Sequence, residues 1–400
     1  MIAASLTFFI VAVVLHYLHH ASLAEFIVSI FAIIAASSLT RIASRGIMVK
    51  FQELEYEFTA GVFGALFGNI AELCFVCTAV VRGEPIIAKT ALTGSLVSSC
   101  LMTFGSCLLS GGIARHTVKY PAAVAKVHAQ LLVVSLVSLI LPTAFHIFAS
   151  EESAGLIELS RGSAVVLLIE FLCYIYFFYW THVDMREDSA DSATHSLPEG
   201  LAVIAGPLLY TGMKDTEDFV QEAIKSQRKM RSEREAANNC HPKQDFVVGS
   251  SLFNLLLLVI ATTSLTLSSL FMFESIHAPT HYLSESFVGL VLMPCVLASL
   301  ESATDALRSR QGMVWVAEGA FGATIRMSLC VLPVAVLLGW AVGKEMDMVL
   351  DGFQVAILTL SVFMVNHVIN SISVHWLQGS MFLASFLIFA VAAFYYPNKA

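Results

Sequence analysis

The stretch that decides the fold is GNIAELCFVCTAVVRGEPIIAKTALTGSLVSS, residues 68–99. Its first part reads as an apolar helix interrupted by polar residues, with Glu72 at its centre, and its second part is rich in Gly, Ser and Thr. An ionisable residue inside a membrane span is costly and usually faces a pathway or a partner. Small residues let helices approach closely. The stretch therefore predicts two packed membrane helices around a buried carboxylate.

The same pattern occurs again in the second half of the chain. LASLES, residues 297–302, carries Glu301, and GATIRMS begins at Gly322. The carboxylate lies 22 residues before the glycine in the first copy and 21 residues before it in the second. This spacing indicates an internal repeat. Two acids at matched positions favour a functional role over a purely structural one.

The composition predicts a multi-pass membrane protein. Of 400 residues, 57% are hydrophobic and 13% are charged, whereas soluble proteins carry about 25% charged residues. A span needs about 20 mostly apolar residues. Eleven runs qualify, near 3–18, 23–43, 58–81, 86–111, 125–149, 162–181, 246–270, 286–307, 315–342, 350–372 and 377–396. The lipid bilayer is thus the main partner, and nucleic acid is not expected.

The runs divide the chain into four parts. An N-terminal helix (1–20) precedes a first group of five runs (21–183), a charged loop (184–245) and a second group of five (246–400). Because five is odd, the second group must cross the membrane in the inverted sense, as in many secondary transporters. The predicted fold is an all-α membrane protein with one N-terminal helix and two inverted five-helix repeats.

Basic residues predict the orientation. Sixteen Lys and Arg fall on one side of the predicted topology and four on the other. Cytosolic connections carry the excess of positive charge. We therefore expect the N-terminus and the long loop to be cytosolic. The sixteen include Arg41, Arg45 and Lys50, which we assign to the connection after the second run.

Two buried carboxylates with an amide beside them suggest cation chemistry. Carboxylate, amide and carbonyl oxygens are hard ligands that suit Ca²⁺. The same carboxylates can take up protons when the cation leaves. We expect Glu72, Glu301 and Asn69 to bind the cation, with Ca²⁺ or another divalent ion as the transported species and no resident cofactor.

Residues Gly68–Gly112 resemble the vacuolar cation/proton exchangers of the calcium/cation antiporter superfamily. That family reads Gly-Asn-Ala-Thr-Glu, followed at this spacing by Gly-Ser-Ile-Leu-Ser-Asn-Leu. Further matches are LPTAF (141–145), LSRGSAVVLLIEFLCYIYFFYWTH (159–182), FVGLVLMP (287–294) and LSVFMVNHVINSISVHWLQG (360–379). The resemblance covers nearly the whole chain.

The resemblance implies a function and a location. Glu72 and Glu301 would be the central acids that alternate between a cation and protons. The membrane would be that of a vacuole or another internal compartment. The first half-site would be lined by Gly68, Asn69, Gly94, Ser95 and Ser98.

The second half departs from the family pattern. The family motif there is Gly-Asn-Ala-Ala-Glu-His, and only its acid survives, as Glu301. The family's Asn at the end of the first Gly-Ser segment is Ser99 here, and its Gln in the second segment is Arg326. New carboxylates appear at Glu170 and Asp305.

Arg326 has the largest expected effect among these departures. A guanidinium stays cationic in proteins, and a lipid-facing Arg is costly, so we expect it to face the polar centre. Beside Glu301 and Asp305 it would take the place of a bound cation. The residues expected to line the centre are Gly68, Asn69, Gly94, Ser95, Ser98, Ser99, Gly322, Thr324, Arg326, Ser328, Glu170 and Asp305.

Three functions remain open. The first is cation/proton antiport. In the second, ion exchange has been lost and the centre binds a small organic molecule or performs acid–base chemistry on it. The residues for that chemistry would be Glu72, Glu170, Glu301, Asp305 and Arg326. The third is a non-transporting regulatory subunit with a stable protein partner. We favour a transporter over an enzyme, and the oligomeric state stays open.

Overall fold

A computed structural model describes residues 2–18, 22–54, 56–115, 117–118, 122–148, 155–182, 250–276, 284–309, 321–344, 346–369 and 374–396. The predicted charged loop, 184–245, lies outside the described residues.

The described residues are almost entirely helical. In the first half the helices are α1 (Ile2–Leu18), α2 (Leu23–Glu53), α3 (Glu57–Phe67), α4 (Ile70–Arg82), α5 (Pro85–Ser98), α6 (Phe104–Arg115), α7 (Ala122–Phe148) and α8 (Leu156–Tyr176). In the second half they are α9 (Ser251–Glu274), α10 (Glu285–Phe287), α11 (Met293–Ser309), α12 (Gly322–Arg326), α13 (Leu332–Val342), α14 (Gly352–Ile369) and α15 (Trp376–Tyr395). Two-residue strands, β1 (Thr117–Val118) and β2 (Val374–His375), pair antiparallel.

The multi-pass membrane prediction is confirmed. Among the described residues, nine helical segments are long and apolar enough to cross a bilayer, and a tenth is a bent pair. The pair consists of Val288–Ser299 and Glu301–Leu307, which meet at 55°. The N-terminal Ser5–Leu18 is a shorter apolar helix. The all-helical part of the predicted fold class therefore holds.

The first acid-bearing span is interrupted beside its acid, and the second is bent beside its acid. Helix α3 ends at Phe67 and α4 begins at Ile70, so Gly68 and Asn69 form the break and Glu72 lies in the first turn of α4. In the second half, Glu301 directly follows the bend. Non-helical backbone at membrane depth is tolerated where it lies within protein or lines a cavity. The break therefore places backbone polar groups close to Glu72, and the bend lies directly beside Glu301.

Helix α2 is longer than predicted. It has 31 residues, about 46 Å at a rise of about 1.5 Å per residue. The assignment of Arg41 to a connection outside the membrane is wrong, because Arg41 is 6% exposed and lies within α2. The helix continues because the buried Ala43 and Ile47 extend its apolar face past the charge. Arg41 therefore no longer supports the predicted orientation.

The two halves pack closely through glycines. A Cβ on Gly94 of α5 would collide with the backbone carbonyl of Leu290, and a Cβ on Gly289 would collide with Thr90. Residues 288–292 form a π-helical turn that lies against α5. Since only glycine permits this approach, these positions fix where the second half meets the first.

Candidate functional site

The two acids meet on a single arginine. The Nη2 of Arg41 donates to Oε1 of Glu72 at 2.5 Å and to the carbonyl oxygen of Leu297 at 2.9 Å. The Nη1 of Arg41 donates to Oε2 of Glu301. One guanidinium therefore joins the carboxylates of both halves, although the residues lie far apart in sequence.

All three charged side chains are sheltered from solvent. The side chains of Arg41 and Glu72 are 7% and 5% exposed, and that of Glu301 is 11% exposed. Burying an unpaired charge is very unfavourable, whereas a hydrogen-bonded pair offsets much of that cost. The planar fork of a guanidinium suits two carboxylates at once. Arg41 thus makes it possible for two acids to share one buried place.

The trio is not saturated with hydrogen bonds. Within the described part of the chain, Nε of Arg41 and Oε2 of Glu72 are buried without a hydrogen-bond partner. A buried polar atom without a partner normally costs free energy. Oε2 of Glu72 can therefore accept a proton or a hydrogen bond, and the Nε–H of Arg41 can donate to a water molecule or a ligand.

A second charged pair lies one turn further along the same helices. Nη2 of Arg45 lies 4.0 Å from Oδ1 of Asp305. Residues four apart share one helix face. Arg41 and Arg45 on α2 therefore face Glu301 and Asp305 on α11 as two successive pairs.

Arg326 contacts the first half-site at Asn69 and Gly68. Its Nε donates to Oδ1 of Asn69 at 2.7 Å, and a Cβ on Gly68 would lie 2.8 Å from the same nitrogen. No ion pair joins Arg326 to Glu301 or Asp305 among the described residues, so Arg326 does not take the place of a cation bound beside those acids. Arg326 binds at the break between α3 and α4, and Arg41 is the arginine that lies beside Glu301.

Of the small residues expected to line the centre, some line a cavity and others pack against neighbouring groups. Thr324 and Ser328 line a small cavity together with Cys100 and Ser135, and Ser135 donates to Ser328 at 2.8 Å. Gly322 lies against Arg326, since a Cβ there would be 3.0 Å from Nη1. Gly94 packs against the opposite half, as described above.

Three serines of the first half-site are buried on or next to α5. Ser95 is 7% exposed, Ser98 is fully buried and Ser99 is 8% exposed. The hydroxyl of Ser98 has no hydrogen-bond partner in the described regions. A buried hydroxyl of this kind is a ready ligand for water or a cation. Their role as site residues stays a prediction.

Glu170 stands apart from the other carboxylates. It is half-buried on α8, and no hydrogen bond or ion pair joins it to Glu72, Glu301 or Asp305 in the described structure. The five residues proposed for acid–base chemistry therefore do not form one cluster.

Each proposed cation ligand is already in contact with a guanidinium. Asn69 accepts from Arg326, while Glu72 and Glu301 accept from Arg41. Among the described residues, no group of three or more His, Cys, Asp or Glu side chains could hold a metal. A cation could reach these oxygens only if at least one arginine moved.

Arg41 is the site residue that the sequence analysis missed. The signal was a polar cluster within an apolar run, and all its members are buried. They are Ser37, Ser38, Thr40, Arg41 and Ser44. A polar face inside an apolar helix normally faces protein rather than lipid. That argument would have placed Arg41 in the centre.

Comparison with known proteins supports the resemblance. Residues 21–180 match the sodium/calcium exchanger protein family. The vacuolar calcium ion transporter of Schizosaccharomyces pombe is 28% identical over 380 residues, which are 93% of this chain and 79% of that protein. The Ca²⁺/H⁺ antiporter of Aphanothece halophytica is 24% identical over 396 residues, covering 96% and 93%. The vacuolar cation/proton exchanger 3 of Arabidopsis thaliana is 25% identical, covering 84% and 66%.

Solved structures show the same fold. The native YfkE structure has a TM-score of 0.73 at 18% identity and covers 98% of both chains. The H⁺/Ca²⁺ exchanger CAX has a TM-score of 0.63 at 14% identity and covers 99% of this chain and 88% of the other. The fold and the paired acids define a multi-pass membrane protein with an exchanger architecture. The chain is thus similar over most of its length to proteins named as a vacuolar calcium ion transporter and a Ca²⁺/H⁺ antiporter, which confirms the sequence resemblance.

Proposed function

We propose that this protein is a secondary active cation/proton antiporter in which Glu72 and Glu301 exchange a divalent cation for protons. The observation that carries this proposal is the meeting of the two acids, one from each half, on a single cationic group. Two carboxylates close enough to share one guanidinium are close enough to share one metal ion. The relatives named as Ca²⁺/H⁺ antiporters support Ca²⁺ as the cation.

The chemistry needs only the groups present. Ca²⁺ takes oxygen ligands, and Asn69 and the Leu297 carbonyl offer two beside the carboxylates. The carboxylates bind either the cation or protons, because both compete for the same oxygen lone pairs. Alternating access of this centre to the two sides would then couple opposite fluxes.

The proposed architecture has eleven spans. It adds the bent pair and the N-terminal helix to the long apolar helices. Two corresponding features support the inverted repeats. The first acid follows a helix break and the second follows a bend, and each Gly-Ser segment runs into a π-helical turn, at Ser99–Thr103 and Met327–Val331. The proposed parts remain 1–20, 21–183, 184–245 and 246–400.

The proposed location is an internal membrane. The vacuolar relatives support it, and an acidic lumen would supply the proton gradient that drives cation uptake. The basic residues other than Arg41 still favour a cytosolic N-terminus and loop.

Proton-driven uptake tests the function. Purified protein in vesicles with an acidic interior should accumulate Ca²⁺ when it is added outside. Glu72→Gln or Glu301→Gln should abolish uptake, since a neutral amide can exchange neither cation nor proton. Glu158→Gln is the matched control because Glu158 is exposed near the start of α8. Absence of flux for every divalent cation tested would refute the proposal.

One observation supports a second candidate. Charges of both signs are balanced in and beside the polar centre, in the six residues Arg41, Arg45, Arg326, Glu72, Glu301 and Asp305. Such a balance gives a bare cation little net attraction and suits a small organic molecule with polar groups. Native mass spectrometry of the purified protein would then show a bound molecule that Arg41→Gln releases. A ligand-free protein would exclude it.

A further inference from the structure

The place of Arg41 coincides with the place that antiport assigns to the transported cation. Its guanidinium contacts Glu72, Glu301 and the Leu297 carbonyl, so it is surrounded by the oxygens that a metal ion would use. An arginine remains charged at every physiological pH. The site therefore already contains a cation, and that cation is attached to α2.

Electrostatics decides what Arg41 does to a second cation. Arg41 and the two carboxylates sum to one negative charge, which cannot neutralise a divalent ion. Unit charges about 4 Å apart repel enough, at an effective dielectric of about 20, to weaken binding by about three orders of magnitude. A divalent ion would meet a still larger repulsion. Bound Ca²⁺ and a bridging Arg41 are therefore mutually exclusive.

We propose that Arg41 is a tethered resident cation that competes with the transported cation for Glu72 and Glu301 and thereby sets the affinity and charge selectivity of the site. This inference rests on the proposed antiport. In the cation-free state Arg41 holds the two acids together. In the loaded state it withdraws, and Ca²⁺ takes its place.

The surroundings of Arg41 allow such a withdrawal. Its Nε makes no hydrogen bond to any described residue, so in the described structure the guanidinium is held by the two acids and by the Leu297 carbonyl. The next carboxylate along α11 is Asp305, one turn from Glu301. A displaced guanidinium thus has an acid within a neighbouring turn, where it would share Asp305 with Arg45.

Calcium binding to the full-length protein in detergent tests the inference. Calorimetric titration with CaCl₂ would compare the wild type with Arg41→Gln and Arg41→Met, which remove the charge, and with Arg41→Lys, which keeps it. The first two should lower the Kd for Ca²⁺ by about 100-fold or more, and the lysine should leave it within about tenfold. Arg82→Gln is the control, since Arg82 is exposed and pairs with Glu274; its Kd should not change.

The competing account is a purely structural role for Arg41. Folded Arg41→Gln or Arg41→Met protein with an unchanged or higher Kd would overturn the inference.

A cryo-EM map of the wild type at saturating Ca²⁺ gives a measurement that needs no variant. Density between Glu72 and Glu301 with Arg41 moved away would support it, and bound Ca²⁺ with Arg41 still bridging would overturn it. Failure of the proposed antiport would be a different result. It would abolish Ca²⁺ flux in the wild type and leave the comparison of the Kd values for Ca²⁺ unaffected.

Discussion

At the scale of single residues, Arg41 is both the electrostatic partner of two acids and a member of α2. Removing one partner from a buried ion pair typically costs about 3–5 kcal/mol, because the remaining charge is uncompensated. In this trio the loss of Arg41 leaves two adjacent carboxylates, whereas the loss of Glu72 leaves Arg41 and Glu301 as a neutral pair. The three residues should therefore respond unequally to substitution.

Arg41→Gln should lower the free energy of unfolding at neutral pH by about 3 kcal/mol. Glu72→Gln should cost less, and the double variant should be more stable than the sum of the single losses by about 1–3 kcal/mol. Thermal unfolding in detergent, completed as a double-mutant cycle, measures this coupling. Strictly additive losses would show that the contact carries no energy.

Alanine substitutions at Gly68 and at Gly162 form a matched pair. A Cβ at Gly68 would lie 2.5 Å from the Gly64 carbonyl and 2.8 Å from Arg326 Nε, so Gly68→Ala should displace Arg326. The rate of Ca²⁺ uptake should then fall at least about tenfold, which corresponds to an activation barrier raised by about 1.4 kcal/mol. Gly162→Ala meets nothing within 4 Å and should stabilise α8 by up to about 1 kcal/mol. Uptake assays and thermal midpoints of both variants check this. Normal uptake by Gly68→Ala would contradict the close approach.

At the scale of elements, side chains of the first half hold the segment between α13 and α14. The N–H of Leu350 donates to Oγ1 of Thr143 at 3.0 Å, and the N–H of Met348 donates to Oγ of Ser160 at 3.1 Å. Lys89 also pairs with Asp347 at 3.0 Å. A segment without regular structure is thus fixed by helices α5, α7 and α8.

Thr143→Val should weaken that attachment. Valine has nearly the same shape but leaves the buried N–H of Leu350 without an acceptor, which costs about 1–3 kcal/mol. Thr359→Val is the control, because among the described residues the Thr359 hydroxyl bonds within its own helix, to the Val355 carbonyl. Its effect should stay within about 0.5 kcal/mol. Equal unfolding free energies for the two variants would contradict the attachment.

The elements differ in how far the sequence predicts them. Long apolar runs predict the spans because a bilayer demands them, whereas the polar residues around Glu72 predict a polar-interrupted helix but not the break at Gly68 and Asn69. The end of α2 escaped prediction because Arg41 was read as the end of an apolar run. Its pairing with Glu301 depends on how α2 packs against α11, and no local pattern contains that information.

At the scale of the whole molecule, the acids are matched in position but not in surroundings. Glu72 lies in a motif close to the family pattern, beside Asn69 and Gly68. Glu301 follows Leu297 and Ser299, and only its carboxylate corresponds to the family motif. Arg41 joins these unequal halves into one site. The central claim is therefore that the two acids act as one exchanging unit and not as two independent sites.

Proton movement driven by a Ca²⁺ gradient tests that claim most directly. Vesicles with purified protein and a trapped pH indicator would be loaded with Ca²⁺ and diluted into Ca²⁺-free buffer. The wild type should take up protons as Ca²⁺ leaves, Glu158→Gln should do the same, and Glu72→Gln and Glu301→Gln should each abolish the signal. Proton uptake that persists in either of these two variants would contradict a single site shared by both acids.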